Sequence, residues 1–228
     1  MRAATEWKVE ERPVRVTAGS VTLEGDLSLS EGANGLVLFA HGSGSSRFST
    51  RNRYVARSLN AAGLATLLVD LLTSSEEEID QRTAHLRFDI DLLAARLVAT
   101  TNWLTLLPDT RKLHIGYFGA STGAAAALVA AAELGHVVRA VVSRGGRPDL
   151  AGPVLSHVLA PTLLIVGGND VPVIELNQAA LAQLRCEKQL AIIPGATHLF
   201  EEPGALDEVA KLARDWFGRH LTAPGQAR

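Results

Sequence analysis

The sequence has little of several features that would point to particular classes of protein. Its 228 residues include one cysteine, Cys186, which excludes an internal disulfide and any multi-cysteine metal site. Lys and Arg total 22 against 24 Asp and Glu, so a net charge of −2 provides no general attraction to nucleic acid or anionic membranes. Aromatic residues make up only 5%. The core is therefore predicted to consist of small and branched aliphatic side chains.

Long apolar segments are also missing. No run approaches the roughly 18 apolar residues that a membrane-spanning helix needs, and the polar stretch from Met1 to Lys8 has no signal-peptide core. We therefore expect a cytoplasmic protein without membrane association. Hydrophobic residues still make up 47% of the chain, and the length suits one domain. We expect a single domain over residues 1–228, with a frayed tail from about residue 222.

The apolar pattern predicts an α/β fold with a mostly parallel sheet. Residues 13–30 alternate between apolar and polar, which predicts an antiparallel hairpin. Short unbroken apolar runs, typical of parallel strands buried on both faces, follow at residues 36–40, 65–69, 113–118, 140–142, 162–166 and 190–193. Between them we predict helices at residues 52–62, 84–106, 122–134, 173–185 and 205–220, and an exposed loop at residues 76–78. This alternation predicts three layers built from right-handed β-α-β units.

The strongest motif is Gly119-Ala120-Ser121-Thr122-Gly123, which lies between a predicted strand and an Ala-rich predicted helix. A nucleophile elbow turns so sharply that the residues two before and two after its serine must be nearly free of side chain. Such a turn exposes the serine hydroxyl at a helix N-terminus, where backbone N–H groups favour negative charge. Ser121 is thus the candidate nucleophile, and the alternative is a Gly-rich turn that contains an incidental serine.

A serine nucleophile needs a base, and the base needs an orienting acid. Asp170 follows the predicted strand at 162–166, and His198 follows the one at 190–193. The chain order Ser, Asp, His is the order expected for an elbow of this kind. Separately, Asp170 could cap a helix and His198 could be an ordinary surface residue. Together with Ser121 they form a candidate catalytic triad at the carboxyl edge of the sheet.

The loop after the first parallel strand supplies a candidate oxyanion hole. This segment, the oxyanion loop, reads His41-Gly42-Ser43-Gly44-Ser45-Ser46. In the expected arrangement, one N–H from this loop joins the N–H of the residue after the nucleophile. We assign the backbone N–H groups of Ser43 and Thr122 as the two donors, and we expect His41 to brace the loop.

Together, the His41-Gly42 loop, the elbow, Asp170 and His198 resemble the α/β-hydrolase superfamily over nearly the whole chain. The short length and the absence of room for a cap domain, with some 18 residues from Arg144 to Pro161, look most like its dienelactone-hydrolase branch. Members of that branch commonly carry Cys at the nucleophile position, where this chain has Ser121, so an ordinary carboxylic ester is favoured over dienelactone as substrate. The resemblance implies no cofactor and no metal. It implies a small-molecule ester (or a thioester or lactone) as the partner, and the sequence leaves the oligomeric state open.

Arginines near the predicted site offer a clue to the substrate. Arg47 begins an arginine-rich segment just after the oxyanion loop, and Arg144 lies near the end of another strand. Either could bind a carboxylate or phosphate on the substrate, whereas the alternative is a solvated helix start or ion pairs with residues 76–80.

Two other functions remain open on the sequence alone. A Rossmann-type nucleotide-binding domain would use Gly42-Ser43-Gly44, with Asp70 as the ribose-binding acid, although Arg47 occupies the third glycine position. A hydrolase fold can also serve as a non-catalytic binding module.

Overall fold

The structure, a computed structural model, describes residues 7–222. Most of the predicted frayed tail therefore lies outside the described residues. The strands are β1 (Val9–Ala18), β2 (Val21–Ser30), β3 (Gly35–Ala40), β4 (Ala65–Val69), β5 (His114–Ala120), β6 (Val138–Arg144), β7 (Thr162–Gly167) and β8 (Lys188–Ile193). The α-helices are α1 (Thr50–Ala61), α2 (Ser74–Thr83), α3 (Ile90–Leu106), α4 (Thr122–Leu134), α5 (Val171–Gln183) and α6 (Ala205–Leu221).

The eight strands form one sheet in the order β1-β2-β4-β3-β5-β6-β7-β8. The β1–β2 and β2–β4 pairs are antiparallel, and every other neighbouring pair is parallel. The predicted hairpin and mostly parallel sheet are thus confirmed. The order differs from the 3-2-1-4-5-6 order typical of dinucleotide-binding domains, so the topology does not support the Rossmann-type alternative.

Helices cover both faces of the sheet and create two apolar layers. On one face, buried residues of α3, α4 and α5 pack against the sheet, as Leu97, Leu128 and Ala180 do. On the other face, α1 and α6 contribute residues such as Leu59 and Phe217. A parallel sheet needs this double cover because its central strands are apolar on both sides. The predicted three layers are therefore present.

The segment between β4 and α3 differs from its prediction. Residues 76–78 belong to α2, which begins with a capping box in which Thr73 Oγ1 accepts the Glu76 N–H and the Glu76 carboxylate accepts the Thr73 N–H. The predicted helix at 84–106 is also shorter. Residues 86–88 form a 3-10 turn, and α3 begins only after Asp89, whose carboxylate caps the Leu92 N–H at 3.0 Å.

The connection from β6 to β7 contains no cap domain within the described residues. Residues 148–157 form short 3-10 turns, kinked at Gly152, that pack against α4 and α5. The carboxyl edge of the sheet therefore stays uncovered at this point, as predicted.

No helix among residues 7–222 combines the length and the apolar character needed to cross a membrane.

A buried carboxylate attaches α2 to the 3-10 turn that follows it. Asp80 is fully buried, and its carboxylate accepts the Arg87 backbone N–H at 3.0 Å and the Arg87 Nε–H at 2.6 Å. Arg87 Nη2 also donates to the Asp80 carbonyl at 2.9 Å. Charge-assisted hydrogen bonds of this kind are stronger than neutral ones. The pair therefore fixes the position of the turn at 86–88.

We predict that Asp80→Asn lowers the free energy of unfolding by about 1.5–3 kcal/mol at neutral pH, the usual range for hydrogen bonds to a charged group. Urea unfolding followed by circular dichroism measures the change. Glu78→Gln is the matched control, because it removes one negative charge from the same helix at an exposed position and should change stability by less than about 0.5 kcal/mol.

The effect of Asp80→Asn should also depend on pH. Burial alone raises the pKa of Asp80, but the hydrogen bonds and charge of Arg87 outweigh it and leave the pKa below its usual value of 3.8. A carboxylate whose pKa is lowered on folding contributes stability above its unfolded pKa and loses it as the pH falls through the folded pKa. The two proteins should therefore converge in stability below about pH 4. A difference that stays constant on acidification would contradict this role.

Candidate active site

Ser121 lies at a strained turn between β5 and α4. Its backbone has φ +50° and ψ −122°, a conformation that is rare for a residue with a side chain. Hydrogen bonds hold it there: the Ser121 N–H donates to the Arg144 carbonyl at 3.3 Å, and the Ser121 carbonyl accepts the Arg147 N–H at 3.1 Å. Such strain costs about 1–3 kcal/mol and persists only where the surroundings impose it. This is the geometry of a nucleophile elbow.

The two glycines of the elbow are required by close packing. A Cβ on Gly123 would lie 2.3 Å from the Ala40 carbonyl oxygen and 2.4 Å from that of His41. A Cβ on Gly119 would lie 2.4 Å from Ala124 Cα. Neither position has room for a side chain, so α4 begins in direct contact with the end of β3.

The predicted acid and base are bonded to each other. His198 Nδ1 lies 2.7 Å from Asp170 Oδ2. Asp170 stands just before α5, at the carboxyl end of β7, and its side chain makes no cap bond to that helix. With the Asp170 carboxylate at Nδ1, the His198 tautomer that carries its proton there is favoured, and Nε2 is left to accept a proton. The His198 side chain is 41% exposed.

Ser121 and His198 approach the same turn after β6. The Arg144 carbonyl accepts the Ser121 N–H, and a Cβ on the next residue, Gly145, would lie 3.6 Å from His198 Cε1. Among the hydrogen bonds of residues 7–222, none joins Ser121 Oγ directly to His198. Catalytic hydrogen bonds are often long in unliganded structures and tighten when substrate binds.

The loop after β3 lies against the elbow. A Cβ on Gly42 would lie 2.9 Å from Ser121 Cβ, and Ser43 Oγ lies 3.0 Å from Thr122 Oγ1. These contacts bring together the two residues whose N–H groups were predicted as oxyanion donors. Thr122 is the first residue of α4, so its N–H has no acceptor within the helix.

The buried His41 ring supports this loop through hydrogen bonds to the backbone. Its Nε2 accepts the Leu71 N–H at 3.0 Å, which leaves Nδ1 to donate to the Gly42 carbonyl at 3.1 Å. Burial lowers the pKa of His41 below its usual 6.5, although the Gly42 hydrogen bond and nearby acids oppose the shift. The ring is therefore neutral, and both of its nitrogens are occupied by the backbone.

The two predicted substrate-binding arginines have different surroundings. Arg47 makes an ion pair with Asp70, which also accepts the Arg47 N–H at 2.7 Å, and its Nε lies 3.8 Å from Asp26. The charge of Arg47 is thus neutralised within the protein. Asp70 binds this arginine, whereas the nucleotide-binding alternative requires Asp70 to bind a ribose. Arg144 has no such partner: it is 8% exposed, and its Nε and Nη1 are buried without an acceptor among the described residues.

Two further arginines of the segment pair with acids outside α2. Arg53 Nη2 donates to Asp26 at 2.8 Å, and Arg51 Nη1 donates to Glu201 at 3.1 Å. The alternative of ion pairs within the protein is supported, but the predicted partners at residues 76–80 are wrong. Those residues face Arg87 and Arg96 instead.

Arg87 is a neighbour of the site that the sequence reasoning missed. Its carbonyl accepts the Ser43 hydroxyl at 3.5 Å, and its Nη1 lies 3.5 Å from a Cβ built on Gly44. The sequence pattern places Arg87 within a predicted continuous helix at 84–106. Asp89 was the available signal, because an aspartate three residues before the Leu92 N–H is a common helix start and would have placed Arg87 in the preceding loop.

A cavity of about 250 Å³ borders the oxyanion loop. Hydroxyl and carboxylate groups line it, including Ser45, Ser74 and Glu77. Neither Ser121 nor His198 is among its lining residues. The proposed reacting groups therefore do not line this cavity.

Curated relatives from two strains of Mycobacterium tuberculosis, each named "Putative phosphoribosyl transferase", are 60% identical over 223 residues. The match covers 98% of this chain but only 49% of each relative. The chain thus spans about half the length of these proteins, and their name describes a chain about twice as long.

Solved structures show the same architecture. A dienelactone hydrolase from Anabaena variabilis is 65% identical, with a TM-score of 0.93 over 94% of this chain and 99% of that one. An esterase from Pyrococcus furiosus, at 18% identity, shares the fold with a TM-score of 0.73 over 97% of this chain and 99% of its own. The family model for the dienelactone hydrolase family matches residues 28–222. This chain has the α/β-hydrolase fold and belongs to the dienelactone hydrolase family.

Proposed function

We propose that this protein is a serine hydrolase that cleaves small carboxylic esters, thioesters or lactones through an acyl-enzyme on Ser121. The observation that carries the proposal is the strained Ser121 backbone, held beside a bonded His198–Asp170 pair. Strain of this kind is retained at functional sites more often than elsewhere. Family membership and the 65% identical dienelactone hydrolase support hydrolysis as the reaction class.

The first half of the proposed reaction forms the acyl-enzyme. His198 Nε2 accepts the proton of Ser121 Oγ while Asp170 holds the ring and stabilises its positive charge. Ser121 Oγ attacks the carbonyl carbon, and the carbonyl oxygen becomes an oxyanion. The N–H groups of Ser43 and Thr122 stabilise that oxygen, and the N-terminus of α4 adds a favourable field. His198 then donates its proton to the leaving alcohol.

In the second half, His198 takes a proton from water, and the resulting hydroxide attacks the acyl-enzyme. The carboxylic acid leaves, and His198 returns the proton to Ser121 Oγ. Each step uses groups of this chain, and the proposal therefore requires no metal or cofactor. The serine distinguishes this chain from family members that carry a cysteine nucleophile.

The uncovered edge of the sheet favours small or exposed substrates. The connection from β6 to β7 is packed down on α4 and α5, and the His198 side chain is 41% exposed. A long acyl chain would find no enclosed tunnel at this point. We therefore propose short or surface-exposed esters as the substrate class.

The phosphoribosyl transferase named for the M. tuberculosis relatives is not proposed for this chain. The match covers about half of those proteins, and the Gly-rich loop after β3 packs against Ser121 here. A non-catalytic binding module remains the alternative, and it predicts that Ser121 is not activated.

We predict that Ser121→Ala lowers kcat for a short p-nitrophenyl ester by roughly 10⁴- to 10⁶-fold, as loss of a triad nucleophile does elsewhere. A fluorophosphonate probe should label the wild-type protein, with peptide mapping placing the label on Ser121. Labelling should disappear in His198→Ala, because the hydroxyl is then no longer activated.

Ser156→Ala is the matched control, since Ser156 Oγ contacts only its neighbours in the 3-10 segment, the Pro153 carbonyl at 3.1 Å and His157 Nδ1 at 3.5 Å. It should retain activity and labelling. Full turnover by folded Ser121→Ala would sink the assignment of the nucleophile, and absence of labelling in folded wild-type protein would favour the binding module.

A second prediction concerns the oxyanion loop. Gly42→Ala should lower kcat by roughly 10²- to 10³-fold, the cost of losing one oxyanion donor, because the added Cβ would press against Ser121 Cβ and displace the Ser43 N–H. Initial-rate measurements with the same ester give the change in kcat. Gly218→Ala is the control, since its Cβ would meet nothing within 4 Å. Equal activity in the two variants would contradict the role of the loop.

A further inference from the structure

Asn177 is a buried amide that joins α5 to the turn after β6. It lies in the middle of α5 and has no exposed surface. Its Nδ2 donates to the Gly146 carbonyl at 3.0 Å and to the Val173 carbonyl at 2.8 Å. Because both contacts of Nδ2 are carbonyl oxygens, only the NH2 end of the amide can face them. The side chain therefore bonds two separate segments with its two N–H groups.

Packing alone does not explain an asparagine at this position. Asn177 Oδ1 is buried without a hydrogen-bond partner among the described residues, and a buried polar atom in that condition is destabilising. Asparagine is also a weaker helix former than leucine or alanine, which fill much of the neighbouring apolar layer. An aliphatic side chain would avoid both penalties. The bond to Gly146, which lies outside the helix, is the feature that such a side chain could not supply.

The peptide unit that Asn177 bonds also holds the backbone of Ser121. The Gly146 carbonyl and the Arg147 N–H belong to one peptide unit, and that N–H donates to the Ser121 carbonyl at 3.1 Å. A peptide unit is planar, so a bond that fixes its oxygen also fixes the direction of its N–H. Hydrogen bonds in such a chain also polarise one another. Asn177 therefore supports the bond that holds Ser121 at its strained φ of +50°.

The other two members of the proposed triad lie beside the same elements. The turn after β6, residues 144–147, contacts His198, because a Cβ on Gly145 would lie 3.6 Å from His198 Cε1. Asp170 directly precedes α5, the helix that carries Asn177. Asn177 thus lies at the junction between the helix that follows the proposed acid and the turn that holds the proposed nucleophile.

We propose that Asn177 is a positioning residue for Ser121 and acts through the Gly146–Arg147 peptide. The inference rests on the proposed function, in which Ser121 is the nucleophile. Asn177 itself cannot touch a substrate, because it is fully buried. Its loss should therefore slow the attack by Ser121 Oγ and leave substrate binding unchanged.

The kinetic test replaces Asn177 with leucine, which is similar in size and lacks the amide. In folded Asn177→Leu, kcat for a short p-nitrophenyl ester should fall by about 10- to 100-fold, the upper value being the cost of displacing a reacting group by about 1 Å. KM should change by less than about threefold, since no contact to substrate is lost. Labelling by a fluorophosphonate probe should slow by a similar factor, because it also requires attack by Ser121 Oγ. Asn177→Ala removes the same donors without a branched side chain, and it decides if Asn177→Leu does not fold.

Two further variants of α5 separate positioning from stability. Gln178→Ala removes an exposed amide from the next position and should leave kcat and KM unchanged. Ala180→Gly weakens the helix and its buried packing, so it should lower Tm without lowering kcat. Wild-type kcat in folded Asn177→Leu or Asn177→Ala would overturn the proposal. A loss confined to KM would also overturn it, as would an equal loss of kcat in Ala180→Gly.

Amide hydrogen exchange followed by NMR tests the positioning independently of the reaction. The Arg147 N–H should exchange about 5- to 30-fold faster in Asn177→Leu or Asn177→Ala than in the wild-type protein, the factor expected for the loss of one hydrogen bond. The Val141 N–H, which donates to the Pro161 carbonyl at 2.9 Å, is the reference for overall stability and should change less. Equal changes at both amides would overturn the proposal. If the wild-type protein hydrolyses no ester, a selective change at Arg147 still supports Asn177 as the residue that holds the Ser121 turn, while the proposed reaction fails.

Discussion

The backbone of Ser121 is the constraint on which the arrangement of the site depends. It holds a positive φ because Gly123 packs directly against the carbonyl oxygens of Ala40 and His41. That contact fixes α4 to the end of β3, and so fixes the distance between the elbow and the oxyanion loop. The strain of the turn is offset by hydrogen bonds to Arg144, the last residue of β6, and to Arg147 in the turn that follows. Contacts from the ends of β3 and β6 thus fix the turn after β5 that carries the Ser121 hydroxyl group.

Ion pairs organise the loops around this hydroxyl. Asp70 fixes Arg47, where the oxyanion loop leads into α1, and Asp80 fixes Arg87 on the opposite side of that loop. Each carboxylate bonds both a backbone N–H and a guanidinium of the same arginine, so it holds the chain as well as the charge. Most positive charges near the site are therefore structural. Arg144 differs from these arginines, because its buried Nε and Nη1 have no acceptor among the described residues.

The sequence allowed prediction of those parts of the protein that local rules determine. The parallel strands follow from unbroken apolar runs, and the elbow follows from glycines at fixed positions around Ser121. The order of Asp170 and His198 placed both at one edge of the sheet, where they are bonded. The apolar pattern does not predict α2, because its start depends on Glu76, which completes a capping box with Thr73. The partners of Arg47 could not be predicted, since Asp26 and Asp70 approach it only after distant strands pair.

An open site places particular weight on a few polar contacts. Without a cap, little apolar surface of a small substrate can be removed from water, so the hydrophobic effect contributes only modestly to binding. Selectivity must then come from polar groups that folding has already removed from water. Thr122 at the start of α4 is such a residue, since it is 2% exposed and its N–H has no acceptor within the helix. The proposed oxyanion contacts therefore carry more of the selectivity than apolar burial does.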